Sequence, residues 1–468
     1  VLNSGEKSCS VWSNDDNFEF GYREDSLLEN LALNMRANIY TAKCTDEDQL
    51  VYNELFVENK QYIKNKVENI DPHSNSIIIF ENNGDWEINN AYNQFEKFLN
   101  SILKDNVLKA NLIGFSKGGL VNLKYATNYS NSIANIYNIS TPHNGAILAT
   151  VEKIRNELNL NVLNLSEAEN GFIGDLKSSW NDLVAKPNFY TVSVGFDTKY
   201  IKKIINDIAS IPSEFRSVVN TLVSNLNSAK NTLVKNIIAS VMGIDQNHID
   251  EILDKVISSK DIVSDNGAIH MSSQSAAGFD GVNDIPFYFS EDDYRDFEYS
   301  LQGYAYKTPY AGELNNSNII GHICSQFSVE QDYVIIRKGG LYYLHEWNRT
   351  IEDEEWIIPD EIDGKPISGL SSGFTLSQTS VKKIYVPKGI TAIETGALFN
   401  FKNLEEVEVD NTNPQYYSDN EGVLYSKSLN DLIYYPRAKK ETTYNINSNT
   451  KLISDNAFNA VKYLSSVD

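Results

Sequence analysis

The sequence predicts an α/β protein whose mostly parallel sheet is followed by a second region of different composition. Short apolar runs typical of strands alternate with helical segments, as at Ser76–Phe80, Ile133–Ile139 and Phe189–Gly195. A Gly-x-Ser-x-Gly pentapeptide, Gly114–Gly118, stands between an apolar run and a helical segment. From about Gln331 the composition changes to alternating lysine, tyrosine, valine and isoleucine with prolines and glycines. These observations together predict at least two domains.

Size and charge narrow the function classes. The chain has 468 residues, too many for one ordinary core, and we expect two or three domains. Lysine and arginine number 40 against 63 acidic residues, a net charge of 40 − 63 = −23. Such a balance argues against a nucleic-acid partner, because phosphate binding needs a positive surface. No apolar run approaches the length of a membrane span, so we predict no transmembrane segment.

The three cysteines give no metal-binding pattern. Cys9, Cys44 and Cys324 lack C-x-x-C spacing, and we expect neither a metal nor an organic cofactor. A Cys9–Cys44 disulfide is compatible with a secreted chain. The chain begins at Val1 and stops at Asp468 within a repeat, which suggests a piece of a longer protein.

Ser116 is the candidate nucleophile. Leu112 and Ile113 predict a short strand, and Leu120–Thr127 predicts a helix, so the pentapeptide occupies a strand-to-helix turn. In such a turn the serine backbone is strained, and the residues two positions before and after it must be small. The turn exposes the hydroxyl and directs the helix N-terminus at the reaction site. The alternative is an ordinary strand–helix turn that contains a serine.

About residues 199–260 interrupt the strand–helix alternation. Four apolar stripes at helical spacing lie in this stretch, beginning with Ile201, Ile204, Ile205 and Ile208. We interpret it as a helical cap inserted between sheet elements. The stripes pack on one another, or part of them forms a lid or acyl-chain pocket, and both alternatives need the same periodicity.

A serine hydroxyl needs a base and an orienting carboxylate. The histidines are His73, His143, His248, His270, His322 and His345. In the Ser, Asp/Glu, His chain order of this fold type the base comes last, which favours His322, placed in a loop after Gly321. His143 is second, although its Thr-Pro-His-x-Gly setting suggests a role in shaping the pocket.

Four aspartates are candidates for the orienting acid: Asp197, Asp261, Asp265 and Asp280. We prefer Asp265, in a Ser-Asp-Asn-Gly loop 57 residues before His322 (322 − 265). Asp197, directly after the Phe189–Gly195 strand, is second, and a carboxylate there could equally cap a helix.

The oxyanion formed by attack needs preorganised N–H donors. One donor is expected to be the backbone N–H of Lys117, the residue after the nucleophile. We expect the other from the loop after Ser76–Phe80, provided by Glu81 or Asn82.

These motifs resemble the α/β-hydrolase superfamily, in particular its bacterial lipase and esterase branch. The resemblance covers about residues 70–325 and rests on GFSKGG around Ser116, on Ser-Thr-Pro-His-Asn-Gly after the next strand, on the Asp265 loop and on Gly321-His322. It implies an α/β-hydrolase sheet in a domain of about residues 1–330, with Ser116, Asp265 and His322 as the triad and the insertion as a lid. Two departures are Glu81-Asn82, where His-Gly is usual, and Asn266 in the acid loop.

Residues 331–468 resemble the BspA-type leucine-rich repeats of bacterial surface proteins. Two segments superpose, with apolar positions at Val386, Ile393, Phe399, Leu404 and Val407, and at Ile446, Ile453, Phe458, Leu464 and Val467. Between them Asp419–Pro436 predicts an inserted β-hairpin. The resemblance implies a C-terminal solenoid used for binding or display.

Two functions remain open from the sequence. The first is a secreted or cell-surface serine esterase or lipase, acting on an ester or lipid, whose repeats bind a host or surface protein. The second is a surface adhesin whose hydrolase domain is catalytically silent. The unusual Glu81-Asn82 pair favours the second.

Overall fold

A computed structural model gives the architecture of the chain. It describes residues 1–4, 12, 25–45, 47, 49–71, 73–81, 88–103, 108–144, 172–196, 274–289, 299–301, 304–306, 314, 316–330, 332–351, 353–377, 380–428 and 430–468. The chain forms two compact units. The first comprises Val1–Tyr22 and Asn38–Leu314, and the second comprises Arg23–Ala37 and Asn315–Asp468.

This division differs from the sequence-based boundary at 330/331 in two ways. Residues 315–330 belong to the second unit, because their helix packs on elements of that unit. Arg23–Ala37 also belongs to the second unit, although it precedes nearly all of the first unit in the chain.

One nine-stranded sheet organises the first unit. Its strands are β1 (Leu2–Asn3), β2 (Asn38–Cys44), β3 (Leu50–Glu58), β4 (Gln61–Val67), β5 (Ser76–Glu81), β6 (Ala110–Phe115), β7 (Ile133–Ile139), β8 (Asn188–Phe196) and β9 (Val282–Phe289). Their order across the sheet is β4-β3-β2-β5-β1-β6-β7-β8-β9. From β2 across to β9 all neighbouring strands pair in parallel, whereas the β2–β3 and β3–β4 pairs at one edge are antiparallel. The mixed α/β class with a large, mostly parallel sheet is therefore confirmed.

The helices α2 (Ile88–Ile102), α3 (Lys117–Asn128) and α4 (Ile173–Asn181) connect these strands. Helix α2 has the polar and apolar faces expected of a surface helix, and Phe95, Phe98 and Leu99 are completely buried. Phe80 of β5 stacks on Phe98 and meets Phe95 edge-on. This aromatic contact holds α2 against β5, and α2 also packs on α3, the helix that follows Ser116.

The second unit contains two helices and short strands. The helices are α1 (Leu27–Met35) and α5 (Ser317–Phe327). Its first strands are β12 (Tyr333–Lys338), β13 (Leu341–Trp347), β14 (Glu355–Ile357), β15 (Glu361–Ile362), β16 (Lys365–Leu376), β17 (Lys383–Val386), β18 (Ala392–Ile393) and β19 (Glu406–Val409). Strands β14, β17 and β19 are parallel neighbours, and their inward residues Trp356, Ile384 and Val407 are buried.

The two superposed sequence segments form the same strand pairing. Lys383 of β17 lies opposite Glu406 of β19, and Thr443 of β23 (Thr443–Tyr444) lies opposite Ser466 of β24 (Ser466–Val467), both in parallel. The predicted hairpin within Asp419–Pro436 is confirmed: β21 (Leu424–Ser426) pairs with β22 (Leu432–Tyr434) in antiparallel orientation, beside β20 (Tyr416–Ser418). Recurrent pairing of this kind agrees with a repeated sequence unit.

Some sequence-based expectations fall on residues outside the described ranges, three of them at the level of the fold and the triad. They are the cap of residues 199–260, the triad acid Asp265 and the Cys9 half of the Cys9–Cys44 disulfide. Among the helices that the structure describes, none is both long and apolar enough to cross a membrane. The short strands β10 (Tyr299–Leu301) and β11 (Tyr304–Tyr306) form a separate antiparallel pair.

Candidate active site

Ser116 occupies the sharp turn that the pentapeptide predicts. Strand β6 ends at Phe115, helix α3 begins at Lys117, and Ser116 between them has φ 53° and ψ −129°. A positive φ is strained for any residue with a side chain, and such strain persists only where the surroundings enforce it. Two backbone bonds do so, because Ser116 N–H donates to Ile139 O (3.0 Å) and Ser116 O accepts from Gly119 N–H (3.1 Å).

Three glycines make this turn sterically feasible. A Cβ on Gly114 would lie 2.5 Å from Gly119 Cα, and one on Gly118 would lie 1.8 Å from Asn3 O. A Cβ on Gly119 would lie 2.0 Å from Thr141 Oγ1. Contacts this close are not found for real Cβ atoms, so helix α3 can approach β1 and β7 only with glycine at these positions.

Strand β1 and Ser4, the residue that follows it, lie beside the turn. Strand β1 pairs with both β5 and β6, and Ser4, the residue after β1, accepts a hydrogen bond from Gly118 N–H at 3.2 Å. Trp12 is completely buried and meets Phe115 edge-on. Ser4 and Trp12 therefore contact the residues that flank Ser116.

This arrangement alters the expected source of the second oxyanion donor. The sequence analysis assigned the donor to Glu81 or Asn82, after β5, but β1 separates β5 from β6. Glu81 is the last residue of β5, pairs with Lys43 of β2 and forms an ion pair with Lys64 Nζ at 3.3 Å. Asn82 lies outside the described residues. Because β1 is the direct neighbour of β6, the loop that begins at Ser4 is the better candidate for the second oxyanion donor.

A network of buried polar side chains packs against the residues on both sides of the Ser116 turn. Asn138 Nδ2 donates to Gly119 O (3.1 Å) and to His143 Nε2 (2.9 Å). Asn3 Nδ2 donates to Asn122 Oδ1 at 3.1 Å, and this pair joins β1 to α3. His143 is completely buried and meets Phe189 and Phe279 edge-on. His143 is therefore packed in the core of the first unit, and its role in shaping a pocket stays a prediction.

The topology separates the four candidate acids. The carboxyl ends of parallel strands meet at one edge of a sheet, where α/β proteins bind their ligands. Asp280 precedes β9 and so lies at the opposite edge, where its backbone bonds to Trp180 and Asn181. Asp197 is the residue directly after β8, whose last residue is Phe196. Asp197, Asp261 and Asp265 themselves lie outside the described residues.

His322 lies in a helix rather than in the loop that the sequence suggested. It is in the middle of α5, which Asn316 caps by accepting from Asn318 N–H and Ile319 N–H. The sequence suggested a loop because His322 follows a glycine. Ile319, Ile320 and Ile323 instead form a buried apolar face of α5, which packs on α1, β12 and β16. Burial lowers the pKa of His322, and the nearby carboxylate of Glu346 opposes this shift.

Ser116 and His322 belong to different units, so their pairing stays a prediction. Of the other histidines, His73 precedes β5 and so lies at the edge opposite Ser116, and His345 is in β13 of the second unit. His248 and His270 lie outside the described residues.

Two features near the turn were missed from the sequence. One is Leu2–Ser4, because a two-residue strand gives no periodic signal, although Gly5 after it indicates a turn. The other is Gln274, whose side chain is completely buried near the carboxyl end of β8. A glutamine in a serine- and glycine-rich stretch has no pattern that predicts burial.

Comparison with known proteins gives partial likenesses. No protein-family model matches the chain, and no curated protein matches it either. Among solved structures, a leucine-rich repeat protein from Eubacterium ventriosum is 30% identical over 24% of this chain, with a TM-score of 0.21. The chain spans 28% of that protein's length.

Two further solved structures each match part of the chain. A Listeria innocua gene product is 14% identical over 42% of this chain and 69% of its own, with a TM-score of 0.26. The phospholipase PlaB from Legionella pneumophila is 13% identical over 26% of this chain and 32% of its own, with a TM-score of 0.21. None of these likenesses assigns the chain to a family or gives it an activity.

Proposed function

We propose that this protein is a serine hydrolase that cleaves carboxylic esters, with Ser116 as its nucleophile. The observation that carries the proposal is the strained backbone of Ser116, at the carboxyl end of a central parallel strand and the N-terminus of α3. A strained residue needs a reason to persist, and exposing a nucleophile at a helix N-terminus is such a reason.

The proposed chemistry is acyl transfer through an acyl-enzyme. Ser116 Oγ attacks the ester carbonyl carbon while a histidine takes the hydroxyl proton, and the same histidine then protonates the leaving alcohol. Water, activated by that histidine, hydrolyses the acyl-enzyme. The N–H of Lys117 and an N–H from the loop after β1 stabilise the oxyanion, aided by the N-terminal end of α3.

His322 is the proposed base, and Asp265 or Asp197 is the proposed acid. His322 follows β9 in the chain order of the triad, and its lowered pKa favours the neutral imidazole that a base needs. Asp197 gains support from its position directly after β8. Matched Asp197→Asn and Asp265→Asn variants test the acid, because only loss of the triad acid should lower kcat by about 10⁴.

The substrate class and location extend this proposal. We infer an ester or lipid substrate, secretion or display at a cell surface, and a second unit that binds a host or surface protein through its repeats. The net charge of −23 favours neutral over anionic lipid surfaces.

Hydrolysis of a p-nitrophenyl ester series by the wild type and by Ser116→Ala tests the proposal. Ser178→Ala is the matched control, because Ser178 is an exposed residue of α4. We expect turnover and fluorophosphonate labelling by the wild type and the control, and neither by Ser116→Ala. Labelling without ester turnover would shift the substrate class to amides or thioesters.

A wild type that neither turns over esters nor reacts with fluorophosphonate would overturn the enzyme proposal. The adhesin with a silent hydrolase unit would then be the better account. Labelling of His322→Ala, His270→Ala and His143→Ala assigns the base, since only loss of the base should leave Ser116 unreactive.

A further inference from the structure

Strand β8 runs past the end of its neighbour β7. The last pair in register is Ile139 with Val192, and Ser140 N–H then donates to Val192 O at 3.2 Å. Ser140 has φ 45°, so the chain turns away from the sheet at this residue, whereas β8 continues to Phe196. The N–H and C=O of Val194 therefore face the β7 side where β7 has already ended. Val194 is completely buried, and unpaired backbone groups there would be costly.

The side chain of Gln274 takes the place of the missing strand. Gln274 Oε1 accepts from Val194 N–H at 2.8 Å, and Gln274 Nε2 donates to Val194 O at 3.1 Å. A primary amide has the same donor and acceptor as a peptide group, so it completes the ladder by one residue. Gln274 is 0% exposed.

Gln274 is linked to the turn at Ser116 through Ser140. Ser140 Oγ donates to Gln274 Oε1 at 3.3 Å, and Ser140 is completely buried. The carbonyl of the preceding residue, Ile139, accepts the N–H of Ser116 at 3.0 Å. Two adjacent residues thus connect the two groups: Ser140 bonds to Gln274 through its side chain, and Ile139 bonds to Ser116 through its carbonyl oxygen.

We propose that Gln274 is a positioning residue for Ser116, acting through Ser140 and Ile139. The inference rests on the proposed serine-hydrolase function. Because a reacting atom must be placed within a fraction of an ångström, an amide that fixes the strand end beside the nucleophile affects kcat more than substrate binding.

The test measures kcat per fluorophosphonate-labelled serine for Gln274→Glu, Gln274→Met and the wild type over a range of pH. The ratio of the variant kcat to the wild-type kcat is compared at each pH. Ionised, the introduced carboxylate repels Val194 O. Protonated, it can donate to that oxygen as Gln274 does. We expect the Gln274→Glu ratio to fall at least tenfold at pH 8, with KM within twofold, and to recover as pH is lowered. Gln274→Met, similar in volume but without donor or acceptor, should show a pH-independent loss of similar size.

Gln61→Glu is the matched control, because Gln61 is exposed at the start of β4 and its replacement by glutamate adds the same charge. Its kcat ratio should stay near 1 at every pH. Thermal melting of each variant separates a stability effect from a kinetic one. A lowered Tm with an unchanged kcat per labelled serine in Gln274→Glu and Gln274→Met would overturn the inference and leave Gln274 a structural residue. A wild type that does not label would instead overturn the proposed function.

Discussion

Asn34 pairs with the backbone of Ile335, 301 positions later in the chain. Asn34 Nδ2 donates to Ile335 O at 2.8 Å, and Asn34 Oδ1 accepts from Ile335 N–H at 3.2 Å. One turn earlier on α1, Asn30 Oδ1 accepts from Arg337 N–H at 2.6 Å. The spacing of four residues along α1 matches that of two residues along β12, so both amides bond to the same edge of the strand.

Helix α1 thus covers an open edge of the second unit. Strand β12 is at the end of its sheet, in the order β12-β13-β16-β15, and an exposed edge can pair with other chains. Asp25, just before α1, accepts from Gly339 N–H and Gly340 N–H after β12. These bonds give a physical reason for Arg23–Ala37 to belong to the second unit.

Replacing Asn34 should expose β12. Asn34→Ala removes both partners of Ile335, and each orphaned buried group costs about 1–3 kcal/mol. We expect faster hydrogen exchange in peptides over 333–338, measured by mass spectrometry. Asn348→Ala is the control, because Asn348 Nδ2 donates to the side chain of Glu346 at an exposed position. Equal protection of β12 in the two variants would contradict the edge-covering role of α1.

Ser116→Gly should stabilise the first unit and remove its reactivity. Glycine adopts φ 53° without strain, so we expect a gain of about 1 kcal/mol in the free energy of unfolding. Ser178→Gly, at an exposed position of α4, should lower the free energy of unfolding by about 1 kcal/mol, because glycine has a low helix propensity. Chemical denaturation measures both, and a destabilised Ser116→Gly would show that the turn is not strained.

The glycines of the turn should tolerate no side chain. Gly118→Ala places a Cβ against Asn3 O, and we expect a loss of about 3 kcal/mol or more. Gly174→Ala is the matched control, since nothing lies within 4 Å of a Cβ there, and it should be neutral or gain up to about 1 kcal/mol. Thermal melting compares them, and equal Tm values would refute the close approach of α3 to β1.

The second unit should lose stability in acid through His345. Its ring is buried next to Gly321 and Gly373, and its Nδ1 lies 2.8 Å from Ser371 Oγ. Burial, together with the charge of His322, lowers the pKa of His345 to about 4. The unfolded chain binds this proton near pH 6.5, so stability falls as pH drops from about 6.5 towards 4 and this contribution levels off below.

The size of this loss is about 3 kcal/mol, because folding lowers the pKa of His345 from 6.5 to about 4. His345→Gln removes the titration, and its unfolding free energy should depend less on pH across this range than that of the wild type. Carboxylates titrate in both proteins, so the difference between the two pH dependences reports the titration of His345 together with its coupling to His322. Parallel pH dependences would disprove the assignment.

The site was predictable where the signal is local. Gly114, Ser116, Gly118 and Gly119 form a contiguous pattern, and the geometry of the turn follows from it. The source of the second oxyanion donor is less predictable, because it depends on sheet order, and β1 lies between β5 and β6. Sheet order depends on contacts between distant residues, and no local pattern encodes it.

By itself the sequence determined the α/β class, the parallel strands around the turn, the β21–β22 hairpin and the position of Ser116. Each depends on short-range periodicity or on steric demands within a few residues. Only the tertiary structure decided that β1 flanks the turn, that Gln274 extends a strand it does not belong to, and that α1 and α5 pack in the second unit. These depend on which buried backbone groups lack a partner after the sheet has formed, and side chains hundreds of positions away can supply it.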